Sequence, residues 1–245
     1  MNIQLFIPCY IDQIYPRVGI ATLRLLESLG CTVTYPETQT CCGQPLLNAG
    51  HTCDLKAVAA NFIDTFSGED PVVCPSASCV SMVRNHYAHA GIDTDSLPPV
   101  YELCEFLSTV LKVEAFNTSF RSTIGIHYGC HGVRELGLAE ASESRNLHPR
   151  PDTVRALLSL LPDVTIVERE RKDECCGFGG MFCESEPDVS GAMGQHLLDD
   201  FIQAGAETIV SADMSCLMHL DGMIQQQGIP LRVAHIAEVL AGDLA

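Results

Sequence analysis

The 245-residue chain is short of basic side chains: 14 lysines and arginines stand against 31 aspartates and glutamates, a formal net charge of −17. It carries no basic stripe, and a field of this sign repels a phosphate backbone, so nucleic acid is excluded as an expected partner. Long apolar runs are missing too. No stretch approaches the ~18–20 apolar residues that a membrane span requires. The opening Met1-Asn2-Ile3-Gln4-Leu5-Phe6-Ile7-Pro8 has neither the basic region nor the apolar length of a secretory leader. The expectation is a soluble cytoplasmic protein with reduced thiols. In that compartment cysteine clusters bind metal or do redox work.

A disulfide scaffold is excluded on two grounds. Thirteen cysteines cannot all pair within one chain. A chain of this length, with ordinary hydrophobic content, also buries a core without covalent staples.

What the sequence does have is a repeated cysteine pattern. Cys41-Cys42-Gly43 returns as Cys175-Cys176-Gly177. A vicinal disulfide demands strained geometry, whereas two adjacent thiolates can grip one metal centre. Each pair has a lone cysteine on either side. Cys9 precedes the first pair by 32 positions and Cys79 follows it by 37; Cys130 precedes the second by 45 and Cys216 follows it by 40. Each half thus offers four thiolates, expected on loops. Four soft ligands suit tetrahedral zinc or an iron–sulfur cluster. The gaps are too long for a zinc finger or ribbon.

Hydrophobic patterning places strands at 3–7, 32–35, 71–74, 123–128, 165–168 and 208–211, alternating with helices at 14–29, 52–66, 78–89, 152–161, 188–204 and 215–227. The two halves run in the same order. Their ends also match: Val100-Tyr101-Glu102-Leu103-Cys104-Glu105-Phe106-Leu107 resembles Val233-Ala234-His235-Ile236-Ala237-Glu238-Val239-Leu240. The reading is two pseudo-repeated three-layer α/β domains with mainly parallel sheets, 1–118 and 119–245. The cysteine sites would follow the strands, where such sheets place their ligands. The polar stretch 139–151, with Arg145, His148 and Arg150, reads as a surface loop.

Around these cysteines the chain resembles the cysteine-rich "CCG" proteins. These include the B subunit of heterodisulfide reductase, the iron–sulfur subunits of glycolate oxidase and anaerobic glycerol-3-phosphate dehydrogenase, and above all the lactate-utilization A proteins. The matching segments are Cys41-Cys42-Gly43-Gln44-Pro45 with Asn48-Ala49-Gly50, Pro75-Ser76-Ala77-Ser78-Cys79, Cys130-His131, Cys175-Cys176-Gly177-Phe178-Gly179-Gly180 and Ser211-Ala212-Asp213-Met214-Ser215-Cys216. The short chain, without an N-terminal ferredoxin-like module, points to the lactate-utilization branch. The resemblance implies Cys9, Cys41, Cys42 and Cys79 as ligands of one centre and Cys130, Cys175, Cys176 and Cys216 as ligands of the other. It implies [4Fe–4S] clusters, one per half, with zinc possible in one half. The implied role is electron transfer in a complex that oxidises L-lactate to pyruvate beside other subunits.

There is one departure. The heterodisulfide reductase pattern ends each half in Cys-x-x-Cys; here Ser76 and Asp213 stand at the first of those positions. Four thiolates per half favour ordinary clusters or zinc over five-cysteine noncubane ones, and weaken a heterodisulfide-reductase-like catalytic role. A zinc-stabilised docking subunit is the other alternative.

Of the remaining candidates, Cys74, Cys31 and Cys104 read as core, Cys53 opens a helix, and Cys183 is a spare ligand. His131 reads as a proton donor or a structural group, His127 as core, and His235 as a cap or core polar group. Asp213 reads as a solvated loop residue, with ligation at an open iron site as the alternative. The glycines of Gly177-x-Gly179-Gly180 do not open a βαβ unit. Their expected use is to bring backbone N–H groups to a cluster.

Overall fold

The computed structural model describes residues 1–144 and 150–243. Both halves build the same four-stranded parallel sheet. In the first, β1 (Asn2–Leu5) leads through α1 (Cys9–Ile14) and α2 (Pro16–Ser28) to β2 (Thr32–Thr34), then α3 (Gln44–Asn48), α4 (Thr52–Thr65), β3 (Val72–Cys74), α5 (Ala77–Ser81), β4 (Val100–Glu102) and α6 (Leu103–Glu105). In the second, β5 (Ser122–His127) is followed by α7 (Thr153–Leu158), β6 (Val164–Val167), α8 (Met181–Ser185), α9 (Pro187–Gln203), β7 (Thr208–Ser211), α10 (Met214–Gln227), β8 (Arg232–His235) and α11 (Ile236–Ala241). The strand orders are β2-β1-β3-β4 and β6-β5-β7-β8, every pair parallel. No described helix is long and apolar enough to cross a membrane.

Parallel strands are buried on both faces and read as apolar runs. Val72-Val73-Cys74 and Thr208-Ile209-Val210-Ser211 are fully buried, as that rule requires. The helix expected over 14–29 is α2, opened at Pro16, where proline's missing N–H costs nothing; the short α1, ending at Ile14, precedes it and is not among the expected helices. Both α5 and α6 run on into π-helical turns, Met82–His86 and Phe106–Val110. A third π turn, His131–Glu135, follows Cys130. The stretch 139–151 is only partly a surface loop: Ala139 and Ala141 are buried, while Arg145 and His148 lie outside the described residues.

The halves share one core. A single apolar cluster contains Ile3, Leu5 and Leu103 of the first sheet's side together with Ile124, Leu217 and Val239 of the second's. Helix α2 packs against α11 across the junction, and Arg17 Nε reaches Glu238 Oε1 at 2.9 Å there. A second cluster, around Phe6, Phe62, Phe66 and Tyr87, lies wholly in the first half.

The matched ends occupy matched positions. Glu102 closes β4 and caps α6, accepting from Cys104 N at 2.6 Å and Glu105 N at 3.1 Å; His235 closes β8 and caps α11, accepting from Ala237 N at 3.2 Å. His235 is thus a cap and a core group at once. Burial pushes its imidazole down to about 4, so it is neutral at physiological pH.

Burial also pushes the Glu102 carboxyl up to about 8. A raised carboxyl favours the protonated, folded state. Its contribution to stability is complete below the unfolded value and lost as pH climbs to about 8. Glu102→Gln is therefore expected to gain on wild type by on the order of a few kcal/mol between mildly acid and alkaline pH. Urea midpoints of both proteins across that range check this; a pH-independent difference would show that Glu102 is not the group responsible.

Candidate metal centre

A parallel strand delivers its successor to the carboxyl edge of the sheet. A sheet whose order reverses beside its first strand leaves a crevice at that edge. In both halves the cysteines are placed there. Cys9 begins α1 just beyond β1, Cys41 and Cys42 sit on the long connection after β2, and Cys79 lies in the first turn of α5 after β3. The second half repeats this with Cys130 after β5, Cys175 and Cys176 after β6, and Cys216 in the first turn of α10 after β7. The vicinal pairs are on loops as expected. The flanking cysteines are instead at strand-to-helix junctions.

All eight thiols border one cavity of about 290 Å³ between the halves. In the first half, Cys9 Sγ lies 3.7 Å from Cys41 Sγ, and Cys42 Sγ lies 3.4 Å from Cys79 Sγ. Hydrogen bonds from the Cys42 and Cys9 thiols, joined by the Gly43 N–H, hold Cys41 down at about 3, and its two donors are raised in exchange. The second half is wired alike: the Cys130 and Cys176 thiols and the Gly177 N–H hold Cys175 at about 2. The chain of sulfurs has the same length in both halves, ending on Cys79 in one and on Cys216 in the other. Cys176, with the His127 ring alongside, lowers Cys216 to about 6.

The glycine of each Cys-Cys-Gly has a conformational reason. Gly43 and Gly177 have φ near +87° and +86°, and each turns its N–H onto the first cysteine sulfur of its pair at 3.4 Å. A side chain at Gly177 would also meet Ser190 O at 2.6 Å. The loops are tied back to the strands they follow. Gln39 accepts from Ile7 N and donates to Leu5 O. In the second half Arg169 does this work, donating to Ile126 O and pairing with Asp200.

Asp213 is not the solvated loop residue expected from the sequence. It is 4% exposed and caps α10, accepting from Ser215 N at 3.4 Å and Ser215 Oγ at 2.8 Å. Its other oxygen accepts from Ser78 N of the opposite half at 2.9 Å. Ala212 O accepts from Ala77 N, and Ser76 Oγ from Cys79 N. The first three N–H groups of α5, which no helix can satisfy internally, are thereby accounted for. The two positions that interrupt Cys-x-x-Cys are both helix caps.

Further residues cross the cavity. Gln44 Nε2 and His131 Nε2 lie 3.0 Å apart, so His131 joins the halves structurally. Tyr10 and Phe178 meet edge-to-face at 5.9 Å. Cys183 turns its thiol to Gly180 O at 2.9 Å. Cys74, Cys31 and Cys104 are buried, and Cys53 is exposed. Sequence reasoning assigned His127 to the core. It is buried, yet a ring nitrogen, Cys176 Sγ and Cys216 Sγ lie within 4.8 Å of one another.

Cysteine sets this dense, with soft donors converging from three chain segments in each half, fit a metal or iron–sulfur centre. Two outcomes follow for the metal-free protein. Alkylation by iodoacetamide at mildly acid pH should mark Cys41 and Cys175 ahead of Cys53, because the lowered thiols stay anionic there; peptide mapping reads this, and uniform labelling would contradict it. Asp213→Ala should cost about 2–4 kcal/mol, since three donors lose their acceptor in a buried place, with Asp213→Asn intermediate in chemical denaturation.

The comparisons with known proteins agree with the duplicated plan. The cysteine-rich domain model, CCG, matches residues 3–84 and again 124–221. The lactate utilization protein A of an Exiguobacterium species is 40% identical over 98% of this chain and 96% of its own. That of Bacillus cytotoxicus is 36% identical over 98% of both. Among solved structures, a glutamate racemase from Bacillus anthracis superposes with a TM-score of 0.36 and 10% identity over 99% of this chain and 79% of that one, too distant to bear on function. Matched by the family model in both halves and by these relatives over nearly its whole length, the chain belongs to the cysteine-rich CCG domain family, among the lactate utilization A proteins.

Proposed function

We propose that this chain is an iron–sulfur electron-transfer subunit of a cytoplasmic oxidoreductase that serves lactate utilization by oxidising L-lactate to pyruvate. The observation that carries the reading is the convergence of two four-thiol sets on one cavity. Cys9, Cys41, Cys42 and Cys79 would hold one [4Fe–4S] cluster, and Cys130, Cys175, Cys176 and Cys216 the other, in units spanning 1–118 and 119–245. Such clusters supply one-electron steps when bound.

The protein's own contribution is placement and tuning. Backbone N–H groups of Gly43 and Gly177 already point at sulfur, and hydrogen bonds of this kind raise a cluster's potential. The caps on α5 and α10 fix the first turns that carry Cys79 and Cys216. The body of the chain holds the sulfurs in an apolar setting, where desolvation strengthens each of these contacts. Removal of two electrons and two protons from lactate falls to partner subunits in this reading, with the present chain carrying electrons onward. The name shared by the relatives supports the lactate pathway.

The test is metal and acid-labile sulfide per chain on protein purified without oxygen, or reconstituted with iron and sulfide. About eight irons with matching sulfide are expected for two cubane clusters. Cys41→Ser and Cys175→Ser should each remove about half of both. Zinc without iron, and no broad visible absorption after reconstitution, would overturn the electron-transfer reading in favour of a zinc-stabilised docking subunit.

A further inference from the structure

His127 is the last residue of β5 and is 1% exposed. Neither of its ring nitrogens makes a hydrogen bond of ordinary geometry to nitrogen or oxygen, and the interaction it does have is with the Cys216 sulfur. A buried polar group left this way costs on the order of 1–3 kcal/mol, so a strand that keeps histidine here needs something for the ring to meet. What lies beside it is sulfur. One ring nitrogen, Cys176 Sγ and Cys216 Sγ are mutually within 4.8 Å. Nitrogen and sulfur ligands of a tetrahedral metal lie ~3.5–3.8 Å from each other, a spacing that a small adjustment of these side chains reaches.

The first half has no counterpart. His127 stands three residues before Cys130; three residues before Cys9 stands Phe6. Phe6 packs edge-on against Phe62 and Phe66, with ring centroids 5.0 and 5.5 Å away. Among the described residues, no other set of three donors is as compact as His127, Cys176 and Cys216. The duplication thus placed an inert ring behind one cysteine set and a nitrogen donor behind the other.

We propose that His127 ligates the metal centre of the second half, beside Cys176 and Cys216, and that the two centres are therefore different in kind. The inference rests on the reading that each half holds a metal centre. His127 can enter a four-ligand set only by displacing one of this half's other two cysteines, Cys130 or Cys175; a neutral imidazole in place of that thiolate makes the ligand set less negative, and exchange of cysteine for histidine raises a cluster's potential. The second centre accordingly accepts an electron before the first, which gives the pair a direction.

The experiment uses the full chain, labelled with ¹⁵N-histidine, reconstituted with iron and sulfide and partly reduced. Pulsed EPR should show a nitrogen coupling of coordinated-imidazole strength in the centre reduced first. That coupling should persist in His131→Gln and vanish in His127→Phe, where the potential of the same centre shifts negative. Assembled clusters with no histidine coupling, or with one that survives His127→Phe, would overturn the inference and leave the electron-transfer reading standing. If His127→Phe does not fold, the labelled wild type and His131→Gln decide the question alone. Failure to take up iron would instead sink the electron-transfer reading. The labelled protein loaded with cobalt(II) alone then answers for His127 by the same coupling, present or absent.

Discussion

The side chain of Asp213 holds donors from two helices that belong to different halves of the molecule. One oxygen caps α10 at home and the other reaches Ser78 N at the start of α5. Helix N-termini repel each other when brought close, because each presents unsatisfied N–H groups. An acidic residue between them turns that repulsion into a bridge. Cys79 and Cys216 ride on those same first turns, so the bridge also sets how the two cysteine sets face each other. Removing the cysteine of a Cys-x-x-Cys pattern and installing a cap at the same position exchanges a ligand for a clamp.

Much of this was legible in the chain. The strands were, because parallel sheets demand apolar runs, and Thr208–Ser211 lies where its pattern puts it. The cysteine plan was legible because adjacency and repetition are rare in combination. Positions whose meaning depends on the other half were not. Asp213 looks like any loop aspartate until Ser78 is opposite it, and His127 looks like a core residue until Cys176 and Cys216 fold behind it. The short helix α3 and the long α9 both had a readable mark in a proline of the first turn, Pro45 and Pro187. Helix α8 had none: its start follows two glycines at positive φ, a pattern that reads as loop.

Duplication followed by unequal substitution runs through the whole structure. Glu102 and His235 cap equivalent helices with opposite titration behaviour. Phe6 and His127 stand behind equivalent cysteines, one apolar and one a nitrogen donor. Ser76 and Asp213 cap equivalent helices, yet only Asp213 reaches across. In each case the backbone role is kept and the chemistry changed, as expected when the fold constrains geometry more tightly than side-chain identity. Under the proposed electron-transfer role, a pair of identical centres would give an electron no preferred order. Two of these three pairs, Phe6 with His127 and Ser76 with Asp213, stand within three residues of a cysteine of the sulfur sets.

The shared core argues against a cleft that opens and closes. A single apolar cluster runs through both sheets' helices, and α2 packs on α11 across the junction. Separating the halves would expose that surface at about 25 cal/mol per Å², in addition to breaking the Asp213 bridge and the Gln44–His131 contact. Motion large enough to admit a bulky substrate is therefore expensive, whereas electron transfer needs none. The shared core and the Asp213 bridge thus hold the two cysteine sets in one fixed relation across the cavity.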